Sequence, residues 1–226
     1  MWERLFREVG SGDVKVVAPA APSGVHRRDP FNPRGRPSWF RYATDHSGEV
    51  PQQFDTPHAG DLHDVIDGPA DTALLGVLER AVRSAGDASR VAVVGESQGG
   101  VVAAALALRW NLENPGQHLG AVGLVRTAVD PGIWNGITPP RFATRFHVLL
   151  GAADATFRPY FAVNSLGPLL EHNRCSTAEV PSAYRSADGN VAVELMPGIG
   201  HSDSNRAVYR RCVALLHRDW LDGPPD

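Results

Sequence analysis

The sequence predicts an α/β fold, a mostly parallel sheet flanked by helices on both faces, in a single domain over residues 1–226. Three observations predict it. Short runs of Val, Leu and Ala alternate with stretches of helical spacing along the chain. One such run, Val91-Ala92-Val93-Val94, leads straight into Gly95-Glu96-Ser97-Gln98-Gly99-Gly100, a Gly-x-Ser-x-Gly turn set between a strand and a helix. Neither an internal repeat nor a linker divides the 226 residues.

The elements follow in order. Trp2 to Val9 reads as a short helix ended by Gly10-Ser11-Gly12, and Val14 to Pro19 reads as a strand. Residues 20–69 are rich in Pro, Gly, Asp, His and Arg and carry little periodicity; a stretch of that length in a compact domain is often functional. Leu74, Leu75, Val77, Leu78, Ala81 and Val82 keep helical spacing, and Ser84-Ala85-Gly86-Asp87 stops that helix. After the strand Val91 to Val94 comes an Ala-rich apolar helix, ended by Asn114-Pro115-Gly116. Further strands are expected at Ala121 to Val125, Phe146 to Leu150 and Val191 to Leu195, with a helical segment from about Pro159 to His172. Val208, Cys212, Val213, Leu215, Leu216 and Trp220 line one face of a last helix.

Composition excludes several classes. The net charge is −3 and the basic residues are scattered, which argues against a nucleic-acid partner. Two cysteines, Cys175 and Cys212, fit a reducing compartment better than a disulfide scaffold. Met1 to Phe6 reads as an amphipathic helix rather than a secretory leader, and the longest apolar run, Val101 to Leu108, is too short to span a bilayer. A cytoplasmic protein without stable membrane insertion is expected. His58, Asp61, His63 and Asp64 cluster in the polar region but lack accompanying ligands, so no metal is expected. Walker and dinucleotide-binding glycine patterns are absent.

The turn at Ser97 carries the chemistry. A strand that reverses into a helix this sharply needs glycines beside the serine, and it lifts the hydroxyl above the sheet edge. The helix aims its N-terminal amides at the same spot. A serine hydroxyl is a weak nucleophile near neutral pH, so it needs a base and the base needs an orienting acid. In a parallel sheet both belong just after later strands. Asp154 follows the strand ending at Leu150, and His201 follows the one ending at Leu195. Asp130, after the preceding strand, is the alternative acid.

These residues resemble the acyl-protein thioesterase / carboxylesterase family, also called the phospholipase/carboxylesterase family of α/β-hydrolases. Ser97 to Gly100 is similar to its Gly-Phe-Ser-Gln-Gly-Gly elbow. Ala18-Pro19-Ala20-Ala21-Pro22 with the later Ser38-Trp39-Phe40 is similar to its Pro-x-Ala-Pro and Ser-Trp-Phe segments. Gly151 to Asp154 with Arg158-Pro159, and Gly200-His201-Ser202, resemble its acid and base turns. The resemblance implies hydrolysis of acyl thioesters or carboxylic esters, on an S-acylated protein or a lysophospholipid, without metal or organic cofactor. Ser97 would attack, His201 would carry the proton, Asp154 would orient His201, and the backbone N–H of Gln98 would supply an oxyanion contact. Trp39 and Phe40 would wall an acyl groove or pin the long loop to the core.

Two positions depart from the family. Glu96 stands where it has an apolar or aromatic residue; its carboxylate either lowers the reactivity of the serine or turns away to pair with an arginine. The family also carries an N-terminal strand ending in His-Gly-x-Gly, between the strands like Val14–Pro19 and Val91–Val94, whose loop gives the second oxyanion N–H. That strand is not found in this sequence, so the domain is expected to be N-terminally incomplete relative to the family. A binding protein on an impaired hydrolase scaffold, and an esterase or lysophospholipase acting on small oxoesters, are the competing expectations.

Overall fold

A computed structural model describes residues 2–8, 14–20, 69–129, 144–177, 183–187, 190–201 and 206–221. Helix α1 is Trp2–Glu8 and α2 is Pro69–Ala85. Strand β1 is Ala92–Glu96, α3 is Gln98–Glu113, β2 is Ala121–Val125 and β3 is Arg145–Gly151. Then come α4 (Pro159–Ser165), α5 (Gly167–His172), β4 (Ser176–Thr177), β5 (Ala183–Arg185) and β6 (Val191–Met196). The last helix, α6 (Arg206–Leu216), runs on into a π turn, His217–Leu221.

The sheet order is β1-β2-β3-β6-β5-β4. The first four strands are parallel, and β5 and β4 add an antiparallel margin. Both faces of the parallel strands are covered, which is why their sequences read as continuous apolar runs. On one face Val122, Leu124, Phe146, Val148, Val191 and Val193 meet α2, α3, α4 and α5. On the other, Ala121, Val125 and Leu149 meet Leu5 and Phe6 of α1 and Val208, Cys212, Val213 and Leu216 of α6. Alanines 103, 104, 105 and 107 are all buried in α3, and such small side chains let the helix lie close to β1 and β2.

Three expectations change in detail. The segment from Pro159 to His172 is two helices, not one, because Pro168 has no N–H for the helical ladder and its ring clashes with the turn before it. Residues 14–20 belong to no ladder. Val14 and Val16 are half-buried against the α1/α6 core while Lys15 and Val17 face out, so alternation here reflects one-sided burial of a segment that joins no strand ladder. Strands β4 and β5 lie between the expected helical segment and the strand at Val191, where no strand was expected.

Candidate active site

Ser97, Asp154 and His201 each lie beyond the carboxyl end of a parallel strand. Ser97 follows β1 directly and precedes α3, with φ 51° and ψ −124°. That left-handed φ is strained for a residue with a Cβ, on the order of 1–3 kcal/mol, and the surroundings must hold it. They do so from both sides. The Ser97 N–H donates to the Val125 carbonyl at 2.9 Å, extending the β1–β2 ladder by one residue. Its carbonyl accepts from the N–H groups of Gly100 (2.9 Å) and Val101 (3.3 Å) and from the Thr127 hydroxyl (2.7 Å). A Cβ on Gly95 would lie 2.1 Å from the Gly99 carbonyl oxygen, so the crossing of strand and helix admits only glycine there.

Asp154 lies three residues past β3 and is buried. One carboxylate oxygen accepts from the backbone N–H groups of Thr156 and Phe157, both at 2.8 Å. The other is 2.9 Å from Nδ1 of His201. His201 lies five residues past β6, the neighbour of β3. Its Nε2 is 2.8 Å from the Ser97 hydroxyl, and the Phe157 ring meets the imidazole edge-on at 5.3 Å between centroids. The acid and base turns are joined: Ala152 N–H donates to the Met196 carbonyl and Ala153 N–H to the Ile199 carbonyl, each at 3.0 Å. A Cβ on Gly151 would sit 2.3 Å from the Ile199 carbonyl oxygen, so this approach too needs glycine.

The carboxylate on Nδ1 selects the tautomer with the proton on that nitrogen. Nε2 then keeps its lone pair and accepts from the serine hydroxyl. The chain Asp154–His201–Ser97 is therefore continuous, from 57 and 104 residues apart in sequence. Gln98 opens α3, in the first helical turn, whose amides form the positive end of the helix dipole. Trp39, Phe40, Asp130 and the cluster of His58, Asp61, His63 and Asp64 lie outside the described residues. Among the described residues, no group of three or more His, Cys, Asp or Glu is placed to hold a metal, and no helix is long and apolar enough to cross a membrane.

Glu96 turns away from Ser97 and pairs with an arginine, the second of the two arrangements its sequence position allows. Arg126, the residue after β2, is buried and donates from Nη2 to the Glu96 carboxylate and to the Tyr209 hydroxyl. Tyr209, on α6, donates its own proton to Glu96 at 2.6 Å. Burial first, and the Glu96 carboxylate second, push the Tyr209 phenol up to about 12, so it remains a donor near neutral pH. The other arm of Arg126, Nη1, donates to the Gly200 carbonyl at 3.1 Å. Neither Arg126, Thr127 nor Tyr209 was marked by the sequence reading. The available signal was a charged residue at the end of the fully apolar strand Ala121–Val125, on the rim where chemistry gathers.

No family model matches the chain, and no curated protein does. Solved structures match over nearly its whole length. Arabidopsis thaliana SOBER1 is 19% identical with a TM-score of 0.63, covering 94% of this chain and 89% of that one. Esterase PE8 is 17% identical with a TM-score of 0.63, covering 96% and 83%. Zea mays acyl-protein thioesterase 2 is 15% identical with a TM-score of 0.53, covering 94% and 87%. With its mostly parallel sheet between two helical layers and its likeness to these solved structures, the chain has the α/β-hydrolase fold.

Proposed function

We propose that the protein is a serine hydrolase acting on acyl esters or thioesters. The observation that carries this reading is the unbroken chain from Asp154 through His201 to the Ser97 hydroxyl. In this reading the Ser97 oxygen attacks the acyl carbonyl carbon as His201 Nε2 takes the hydroxyl proton. The tetrahedral oxyanion is held by N–H groups, with that of Gln98 as one donor. His201 then passes its proton to the departing alcohol or thiol, leaving an acyl-serine. Water repeats the sequence and releases the acid. Asp154 stays ionised, fixes the ring and offsets the charge on the imidazolium. The reaction requires no metal or organic cofactor.

Proteins of this fold include an esterase and an acyl-protein thioesterase, which supports the acyl class. S-acylated proteins and lysophospholipids are the finer substrate candidates within it, and Trp39 and Phe40 are the proposed groove wall. A fluorophosphonate probe tests the chemistry. It should label the wild type and leave Ser97→Ala unlabelled; equal labelling, or none in either, refutes the reading. Turnover of p-nitrophenyl esters against acyl thioesters of matched chain length then separates the two ester classes.

A further inference from the structure

The base turn has farther to reach than the acid turn. Ser97 stands at the end of β1 and His201 at the end of β6, with β2 and β3 between them in the sheet. The acid turn after β3 grips the base turn through Ala153 and Ile199. The remaining distance toward β1 is spanned beyond the end of β2, where Arg126 stands. This residue is itself in the left-handed region, with φ 48°, and is not glycine. Such a conformation persists only where the surroundings over-determine it, and strain of this kind gathers at functional sites. Its backbone N–H donates to the Leu149 carbonyl of β3 at 2.8 Å, so the main chain is anchored while the guanidinium turns along the rim.

The guanidinium touches residues next to both partners of the Ser97–His201 hydrogen bond. Glu96 precedes Ser97, and Gly200 precedes His201. One planar fork holds the Glu96 carboxylate on Nη2 and the Gly200 carbonyl on Nη1. The Tyr209 hydroxyl closes the group by contacting both Glu96 and Arg126, and its ring lies 5.3 Å from the guanidinium carbon. A fork of fixed geometry sets the separation of its two partners in a way a flexible ammonium does not.

We propose that Arg126, braced by Glu96 and Tyr209, is a positioning residue that sets the His201 imidazole against the Ser97 hydroxyl by tying the base turn to the nucleophile turn. This inference rests on the hydrolase reading above for its rate effect, and on the geometry alone for its effect on the ring. The ordinary alternative is a buried ion pair that serves stability only. The two make different demands. A purely structural pair is relieved by removing both charges at matched volume, because a lone buried charge is what destabilises. A positioning residue is not relieved, because the fork that joined the Gly200 carbonyl to the Glu96 side of the site is still gone.

The test uses the full chain carrying Glu96→Gln with Arg126→Met, and separately Arg126→Lys, which keeps a charge for Glu96 but lacks the fork. Both are measured by ester turnover and by the 15N signals of the His201 ring. Expected are a 10- to 100-fold lower kcat at a KM within twofold of wild type, and ring signals moved from one tautomer toward an average. Wild-type turnover in either folded variant, or unchanged ring signals, overturns the proposal. If the double variant does not fold, Arg126→Lys decides on the same criteria. If the wild type hydrolyses no ester and takes no fluorophosphonate, the hydrolase reading fails separately. The ring signals then decide this inference alone: a shift sustains it and constancy overturns it.

Discussion

Thr127 and Gly100 meet beneath the serine turn, and each limits the other. The Thr127 hydroxyl donates to the Ser97 carbonyl, while its Cβ is 2.6 Å from where a Cβ on Gly100 would stand. Thr127→Val keeps the shape and removes the donor. It should cost about 1 kcal/mol of stability and lower kcat severalfold, because the strained turn loses a tether. Gly100→Ala forces Thr127 or α3 to move and should cost about 1–3 kcal/mol. Thermal unfolding measures both, and a wild-type melting temperature for Gly100→Ala would sink the packing argument. At this scale the sequence was informative where a residue's distance from a strand end is enough. The placement of Ser97, Asp154 and His201 just past strand ends was legible in that way, and their catalytic roles rest on the proposed function. The partner of Glu96 was not: Arg126 is 30 residues on, one of 22 basic residues, and only the side-by-side placement of β1 and β2 singles it out.

Elements were legible in proportion to their burial. Strands β2 and β3 announce themselves as apolar runs because both of their faces are buried, while β1 and the second half of β6 are half-buried and keep the same apolar pattern. Strands β4 and β5 have two and three residues, too few for any period to register. Residues 14–20 show the converse, an alternating pattern that serves burial without a ladder. Helix α3 is buried nearly all round, so its sequence has little amphipathic signal and its alanines carry the information. Ala107 has no exposed surface, and Ala107→Leu should overpack the α3–sheet contact by about 1–3 kcal/mol, visible as a lower urea midpoint. Helix α6 places Cys212 wholly inside the opposite core, where burial pushes its thiol up to about 12. A thiolate-directed reagent at neutral pH should therefore modify Cys175, which is partly exposed, and spare Cys212 until urea unfolds the chain. Modification of two equivalents in the native state, counted by mass, would contradict that placement.

Stability as a function of pH belongs to the whole molecule, and one joint between its layers makes a specific demand on it. Arg211 of α6 reaches across to Glu194 of β6 with two hydrogen bonds, 2.8 Å from Nε and 2.6 Å from Nη2. The Arg211 hydrogen bonds come first among the causes that hold the Glu194 carboxyl below its usual range; burial opposes them, and the charges of Arg211, Arg185 and His147 add to them. A carboxylate depressed by folding stabilises the native state at pH values above its unfolded value. That contribution fades as pH falls through the folded value, when native and unfolded forms both hold the proton. Arg211 is 44% and Glu194 23% exposed, so water screens the pair and its worth is below about 1 kcal/mol. Arg211→Met should thus melt slightly earlier than wild type near neutral pH. The gap should narrow once the solution is more acid than the ordinary glutamate range, and narrow again at neutral pH when salt is raised. The loss concerns the joint between β6 and α6 and not the hydrogen bonds of Ser97, so kcat at 25 °C should stay within twofold. Melting curves at neutral and acid pH provide the check, and a gap of the same size at both would remove the Glu194–Arg211 pair from the account of how the last helix is held to the sheet.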